Sequence, residues 1–411
     1  MIAINFVIFM DSEIIYKVNA LDLKSIALSE IISNKKVEEP ISIGEFQNKY
    51  GEFSPIAREQ FKLRNKSWKK LPIHSKHGCL FTQRAFEQCT SEIVAKWKSK
   101  EFPASTFLNL TGGLGVDDWA WAMSGTIVKS VDIDPILNHI SRYNFEKLNL
   151  DINRIDGDAL NIISQINPSD YDIIYIDPDR RIVNKRAGSN PENFSPNILE
   201  ILKLLGNNFN RILIKLSPYT DIEWIKNKFA LWTRITVLQH GEDVKEILLL
   251  IDNNKNSKKS IDGFYIEGEN NYCHWNKSKI EDYNFTSSTF FNIWVPSGML
   301  NCMRLPTIFI NKIGFESITK DGQLFITNKK IPVSLGKTYK ILSAFNNLSL
   351  NQLKIALREE NILSGGLRAR NVKGLSSSEI QKRLGIAEGD QYQLFLAPSL
   401  RGKFNLWVTE K

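Results

Sequence analysis

The stretch FLNLTGGLGVDDWAWA, residues 107 to 122, constrains the fold more than any other part of the chain. It reads as a buried strand, a turn holding Gly112, Gly113 and Gly115, and the start of a helix. Glycine suits such a turn because positive φ and close approach of a ligand to the backbone both exclude a Cβ. Three further pieces follow in order: SVDIDP (130–135), IDGDAL (155–160) and YDIIYIDPDRR (171–181), each an apolar run that ends in carboxylates. A Gly-Gly turn or an Asp-Pro terminator alone is ordinary structural punctuation. Four such pieces in this order imply repeated strand-helix units whose carboxyl ends gather acids along one crevice.

The runs TFLNL, TIVKSVD, INRID, YDIIYID, RILIKL, TRITVLQ and EILLLI alternate with amphipathic segments such as PILNHISRYNFEKLN between residues 106 and 251. That pattern predicts an α/β fold, a mostly parallel, Rossmann-like seven-stranded sheet with helices on both faces. QHGEDVK, between the last two runs, is too short for a helical crossover, so those strands should form an antiparallel hairpin.

Residues 11 to 100 read as mostly helical, with Pro40, Pro55 and Pro72 as breaks. FTQRAFEQCTSEIVAKWKSK (81–100) is expected to be one helix. Phe86, Cys89, Ile93 and Trp97 share a face of it, and Gln88, Ser91 and Glu92 fall on a solvated side. NNKNSKKS (253–260) reads as a linker, and the strands and helices after it suit a C-terminal α+β portion. Its last helix, EIQKRLG, has Ser377 or Ser378 as its expected N-cap and Gly385 near its end.

The four cysteines, Cys79, Cys89, Cys273 and Cys302, show neither a disulfide framework nor CxxC spacing, so a reducing cytoplasm is the expected compartment. His74, His77 and Cys79 cluster without a fourth zinc ligand, and no metal is expected. MIAINFVIFM is apolar but lacks a basic leader region and a cleavage site. It reads as a first strand, or as residues ahead of a start at Met10; it is too short to span a bilayer, and no membrane association is expected. Residues 329 to 411 carry 14 Lys and Arg against 6 Asp and Glu, which accounts for the whole net charge of +8. A basic appendage is a candidate phosphate-binding surface, with Arg368, Arg370, Lys373 and Arg401 its leading residues.

Asp132, ending the second run, stands where a carboxylate pairs with the two hydroxyls of a ribose. Dinucleotide-binding sheets share that feature. The further acids in IDGDAL and IDPDRR fit a site that holds an adenosine and does chemistry beside it. Here the chain resembles class I S-adenosylmethionine-dependent methyltransferases. From about residue 60 it is similar to a bacterial group of them through EQCTSE, LTGGLGVD, VDIDP, GDAL, YIDPDRR, LIKLSPYTDI, EDVKEILLLI and the RARN and SEIQKRLGI region.

The resemblance implies four parts: a helical region at 1–100, a methyltransferase domain at 101–255, a ferredoxin-like segment at 261–325 and a THUMP-like domain at 326–411. It also implies S-adenosylmethionine as cofactor and RNA, either tRNA or rRNA, as partner. The glycine turn, with Asn109, Thr111 and Asp117, would hold the methionyl end. Asp132 and Ile133 would hold the ribose and adenine, Asp158 and Ala159 the adenine edge, and Gln88 and Ser91 would approach from the preceding helix. Where these enzymes usually carry an acid to receive the methionyl amine, this chain has Asn109, whose amide oxygen accepts without charge assistance. The expected consequence is a lower cofactor affinity, or compensation by Asp117 or another acid.

Asp177 and Pro178 end the fourth run, where many amino-group methyltransferases have Asp or Asn, two prolines and an aromatic ring that stacks the base. The acceptor is present here and the ring is not. Enzymes that methylate carbon 5 of uracil need a cysteine near the end of the next run, where IKLSPY has Leu216 and Ser217. N-methylation of an RNA base is the favoured reading, with Asp177 orienting the amine and Arg180 or Arg181 gripping a phosphate. Methylation of a protein or small molecule, and a non-catalytic RNA-binding role on a degenerate fold, are the alternatives.

Overall fold

A computed structural model describes residues 42–50, 54–179, 194–254, 257–400 and 402–410. It adds the backbone of two short ribbons, Val7–Phe9 with Ile15–Lys17 and Arg181–Ile182 with Lys185–Arg186. No helix among the described residues is long and apolar enough to cross a membrane.

Helices α1 (Ile43–Tyr50), α2 (Ser54–Lys70), α3 (Pro72–Lys76), α4 (Gln83–Gln88) and α5 (Glu92–Glu101) precede the first sheet. The expected single helix over 81–100 is two. Thr82 caps α4 through the Ala85 N–H, and the chain is extended at Cys89 and Ser91 before α5 restarts. The break turns Glu92 inward instead of onto a solvated side. Its carboxylate is buried and accepts from the backbone N–H of Ile73 (3.0 Å) and of His74 (2.9 Å). It also meets His74 Nδ1 at 2.6 Å, so α3 is tied to the start of α5.

Seven strands build the core of the sheet: β1 (Thr106–Asn109), β2 (Ile127–Asp132), β3 (Asn153–Asp156), β4 (Ile173–Ile176), β5 (Arg211–Leu216), β6 (Arg234–His240) and β7 (Asp243–Asp252). Their spatial order is β3-β2-β1-β4-β5-β7-β6. The first five run parallel, β7 lies antiparallel to β5, and the β6–β7 hairpin closes over the short link as expected. The order reverses between β1 and β4, and in an open α/β sheet the crevice at that switch point is where ligands bind. Among the described residues two further strands extend the expected seven: β8 (Ser260–Ile266) pairs parallel with β6, and β9 (Tyr272–Trp275) pairs with β8. The polar run at 253–260 therefore leads straight back into the same sheet.

Alternation along the strands sends two sets of side chains to opposite faces. Phe107, Tyr175, Leu213 and Leu248 pack with Trp97 of α5, Trp121 of α6 (Val116–Met123) and Phe145 of α7 (Pro135–Lys147). Leu108, Ile174, Ile212 and Leu249 pack with Ile163 of α8 (Ala159–Ile163), Ile201 of α9 (Ile198–Leu205) and Ile225 of α10 (Ile222–Lys228).

After α11 (Lys277–Asp282) a second sheet forms from β10 (Ser287–Pro296), β11 (Phe315–Ser317), β12 (Phe325–Lys329), β13 (Gly336–Leu348), β14 (Gly366–Ala369), β15 (Tyr392–Pro398) and β16 (Phe404–Glu410). Its order is β11-β12-β10-β13-β16-β15-β14, so the segments expected as separate units at 261–325 and 326–411 share one sheet through the β10–β13 pairing. The short helix α12 (Gly298–Cys302) supplies Met299 and Leu300 to the same apolar cluster as Ile235 and Val237 of β6, joining the two sheets. Helices α13 (Leu350–Glu359) and α14 (Ser377–Leu384) cover one face of the second sheet. The N-cap of α14 is Ser376, one residue earlier than expected, in a capping box with Glu379, and Gly385 ends the helix in the left-handed region.

Candidate active site

The glycine turn sits at the carboxyl end of β1, and its glycines answer to the protein beneath it. A Cβ on Gly112 would collide with the Arg154 guanidinium and the Ser130 hydroxyl, and one on Gly115 (φ +81°) with the Phe145 ring. Gly113 has φ +52° and donates its N–H to Asp132 Oδ2 at 2.6 Å. Arg154, buried on β3, reaches under the turn to the Gly113 carbonyl (2.7 Å), the Asn138 side chain (2.6 Å), Ser130 Oγ (2.8 Å) and Asp118 (3.2 Å). One buried cation thus gathers the ends of β1, β2 and β3.

Asn109 and Asp118 form the other half of this arrangement. Asn109 Nδ2 donates to Asp118 Oδ1 at 2.6 Å, while its Oδ1 accepts from the Thr111 N–H at 2.9 Å. An aspartate at 109 would set two carboxylates in contact in a buried site, so the amide is the residue that Asp118 requires. Burial pushes the Asp118 carboxyl up to about 6, against the pull of Arg154, Ser130 and Asn109. Thr111 Oγ1 in turn accepts from the Asp177 N–H at 2.6 Å, linking the turn to the end of β4.

Asp132 ends β2 with Oδ2 on the Gly113 N–H and Oδ1 on the Asp134 N–H (2.9 Å), which fixes the carboxylate and leaves further lone pairs on both oxygens. Ile133 beside it is 71% exposed, an apolar surface at the rim of the crevice. Asp158 caps α8, its Oδ1 accepting from the Leu160 N–H at 2.8 Å, with Ala159 buried behind it.

Below the end of β4 lies a buried ion network that sequence reading missed. Lys98 of α5, fully buried, meets Asp117 Oδ1 at 2.8 Å, Glu246 Oε1 at 3.1 Å and the Tyr175 hydroxyl at 3.0 Å. Asp117 Oδ2 accepts from Thr90 (3.0 Å) and Tyr175 (3.1 Å). Asp117 is thus enclosed by the protein instead of facing the crevice. Lys215 of β5 carries the network outward, its Nζ 2.6 Å from Asp177 Oδ2 and 3.9 Å from Glu246 Oε2. Burial works against its charge, but Asp177, Glu246 and Asp117 raise its pKa above the ordinary lysine value. Asp177 therefore presents to the crevice a carboxylate already anchored from behind.

Asp179 joins this region to the N-terminal helices, its carboxylate meeting Arg84 and accepting from Gln88 Nε2 at 3.3 Å. Its backbone pairs both ways with Ser195. Arg180 and the side chain of Arg181 lie outside the described residues, as does Arg401. Ser91 heads α5 without using its hydroxyl as a cap, and Pro178 is buried. The expectation of no cysteine near Ser217 holds in sequence but not in space: Cys302 Sγ of α12 is 3.5 Å from the Pro218 carbonyl oxygen, and burial pushes that thiol's pKa up.

The strand order, the glycine turn and the acids beside it define the class I methyltransferase fold, a Rossmann-like sheet closed by a reversed strand. No protein-family model matches the sequence, and no curated protein matches it. Among solved structures it is similar to a Porphyromonas gingivalis W83 protein provisionally assigned as a methyltransferase, with a TM-score of 0.72 and 19% identity over 95% of this chain and 96% of that one. TrmK of M. capricolum in complex with S-adenosylhomocysteine aligns with a TM-score of 0.30 and 16% identity, over 39% of this chain and 68% of that one. A Pyrococcus horikoshii protein provisionally assigned as an RNA methyltransferase gives 0.29 and 12%, over 39% and 83%.

Proposed function

We propose that the chain is an S-adenosylmethionine-dependent methyltransferase that N-methylates a base of tRNA or rRNA. The observation that carries this reading is the placing of Asp132, Asp158 and Asp177 at the carboxyl ends of β2, β3 and β4, around a glycine turn that Arg154 holds from below. The acceptor set suits the cofactor: Asp132 accepts from the ribose hydroxyls, Ile133 covers the adenine, and Asp158 accepts from the adenine amine with the oxygen not spent on its cap. Asn109, Asp117 and the N–H and hydroxyl of Thr111 are all engaged inside the protein, which leaves Ser91 to meet the methionyl end. The cofactor supplies an activated methyl group, so what the chain itself must do is aim a nucleophile. Asp177 does this by accepting from the target amine through Oδ1 while Lys215 holds Oδ2. Because Asp118 accounts for the amide at 109, that residue is no mark of a degenerate site.

Asp132→Ala should weaken S-adenosylhomocysteine binding by the ribose hydrogen bonds, each worth roughly 1.5–3 kcal/mol because a charge is involved. Calorimetry on the folded variant checks this, and unchanged affinity would remove Asp132 from the site.

RNA affinity is assigned to the basic C-terminal portion, in keeping with the THUMP-like resemblance. Arg368 and Arg370 are half-buried and Lys373 is exposed; Arg368 stacks over Tyr339, 6.0 Å from its ring centre. Truncation would cut through the second sheet, so charge reversal is the cleaner test. Reversing Arg370 and Lys373 to Glu should weaken RNA binding and lower its salt slope by about 0.7–0.9 per lost phosphate contact. A slope equal to that of the wild type would place the RNA surface elsewhere.

A further inference from the structure

We propose that Tyr219 is the stacking face of the substrate subsite, and that the ligand of this subsite is a planar ring bearing an exocyclic amine. The inference rests on the methyltransferase reading and deepens it, because it supplies the ring that the Asp-Pro-Asp-Arg-Arg run lacks. Tyr219 follows β5, the strand hydrogen-bonded to β4, with Ile214 opposite Ile176. Lys215, the next residue, already touches Asp177, and Tyr219 is four residues farther on. The chain folds back there, since the Thr220 N–H reaches the Ser217 carbonyl at 3.0 Å and the Tyr219 N–H reaches Ser217 Oγ at 3.2 Å.

The residues on either side of Tyr219 are anchored. Ser217 and Thr220 are buried, Pro218 is backed by Cys302, and Asp221 caps α10 through the Glu223 N–H while pairing with Arg304 at 2.7 Å. Between these anchors the Tyr219 side chain is 86% exposed. A lone exposed aromatic is commonplace on a protein surface. One whose backbone is fixed by four anchored neighbours, beside the reactive end of the sheet, offers a stacking face without any loop having to order first. Stacking on such a ring tolerates any base, so choice among bases falls to Asp177, which accepts from an exocyclic amine, whereas uracil offers it only the N3–H between two carbonyls.

The test uses the full chain saturated with S-adenosylhomocysteine, and cytidine, guanosine, adenosine and uridine as probes titrated by saturation-transfer NMR. The three nucleosides with exocyclic amines should bind more tightly than uridine. Tyr219→Phe should keep this pattern, and Tyr219→Ala should weaken all four by about 5- to 150-fold, the factor carried by one base–aromatic stack. Tyr219→Ala binding the nucleosides as the wild type does, or a wild type that binds none of them, would overturn the proposal. Calorimetry with S-adenosylhomocysteine separates the two layers: intact cofactor binding with an unaffected Tyr219→Ala defeats this inference alone, whereas no cofactor binding by the wild type defeats the reading beneath it.

Discussion

Asp177→Ala should lose methyl transfer by about a hundredfold or more while S-adenosylhomocysteine affinity stays nearly unchanged. The size follows from where the contact acts. A preorganised acceptor aimed at the reacting amine is realised most fully in the transition state, and removing one such group costs about 10²–10³ in rate. Lys215 makes the preorganisation concrete, because its 2.6 Å contact fixes one carboxylate oxygen before substrate arrives. Asp177→Asn keeps a carbonyl acceptor and should lose less than the alanine variant. Single-turnover rates separate these outcomes from weakened binding, and equal rates for the wild type and Asp177→Ala would take this residue out of the chemistry.

The second large effect concerns stability. Lys98→Met should cost about 3–5 kcal/mol, because it leaves Asp117 and Glu246 as buried carboxylates without their shared cation. Such a loss is a large part of the roughly 5–15 kcal/mol by which a domain is stable. Adding Asp117→Asn and Glu246→Gln should recover much of it, since the uncompensated charge is then gone. Melting followed by tryptophan fluorescence reads this directly, Trp97 and Trp121 lying in the core over the same sheet face. A Lys98→Met protein that melts with the wild type would show that the network carries no stability.

Much of the first sheet was legible because its signal is periodic. The short β-branched runs, their spacing and the short link after β6 suffice for the strands and the closing hairpin. The polar run at 253–260 misled because a linker and a connection to one more edge strand have the same composition. The helix break at Cys89–Ser91 had a signal, Thr90 and Ser91 directly ahead of Glu92, which favour caps over helix interiors, but the apolar face running through Cys89 masked it. Lys98, Glu246 and Arg154 were not legible. A buried ion looks like a solvated one until the partner, distant in sequence, is brought beside it: Lys98 and Glu246 stand on α5 and β7. Asp158 and Asn109 show a related limit, since a motif position announces a polar atom but not whether the protein or a ligand uses it.

Single-turnover transfer of tritium from methyl-labelled S-adenosylmethionine is the decisive measurement for the proposed methylation of RNA. The substrate is total RNA from cells lacking the gene, followed by nucleoside analysis of the labelled product. The wild type should place label in one amino-bearing or ring-nitrogen-methylated nucleoside, and Asp177→Ala should not. Label in protein or small molecules instead of RNA, or no transfer by a protein that binds the cofactor, would contradict it.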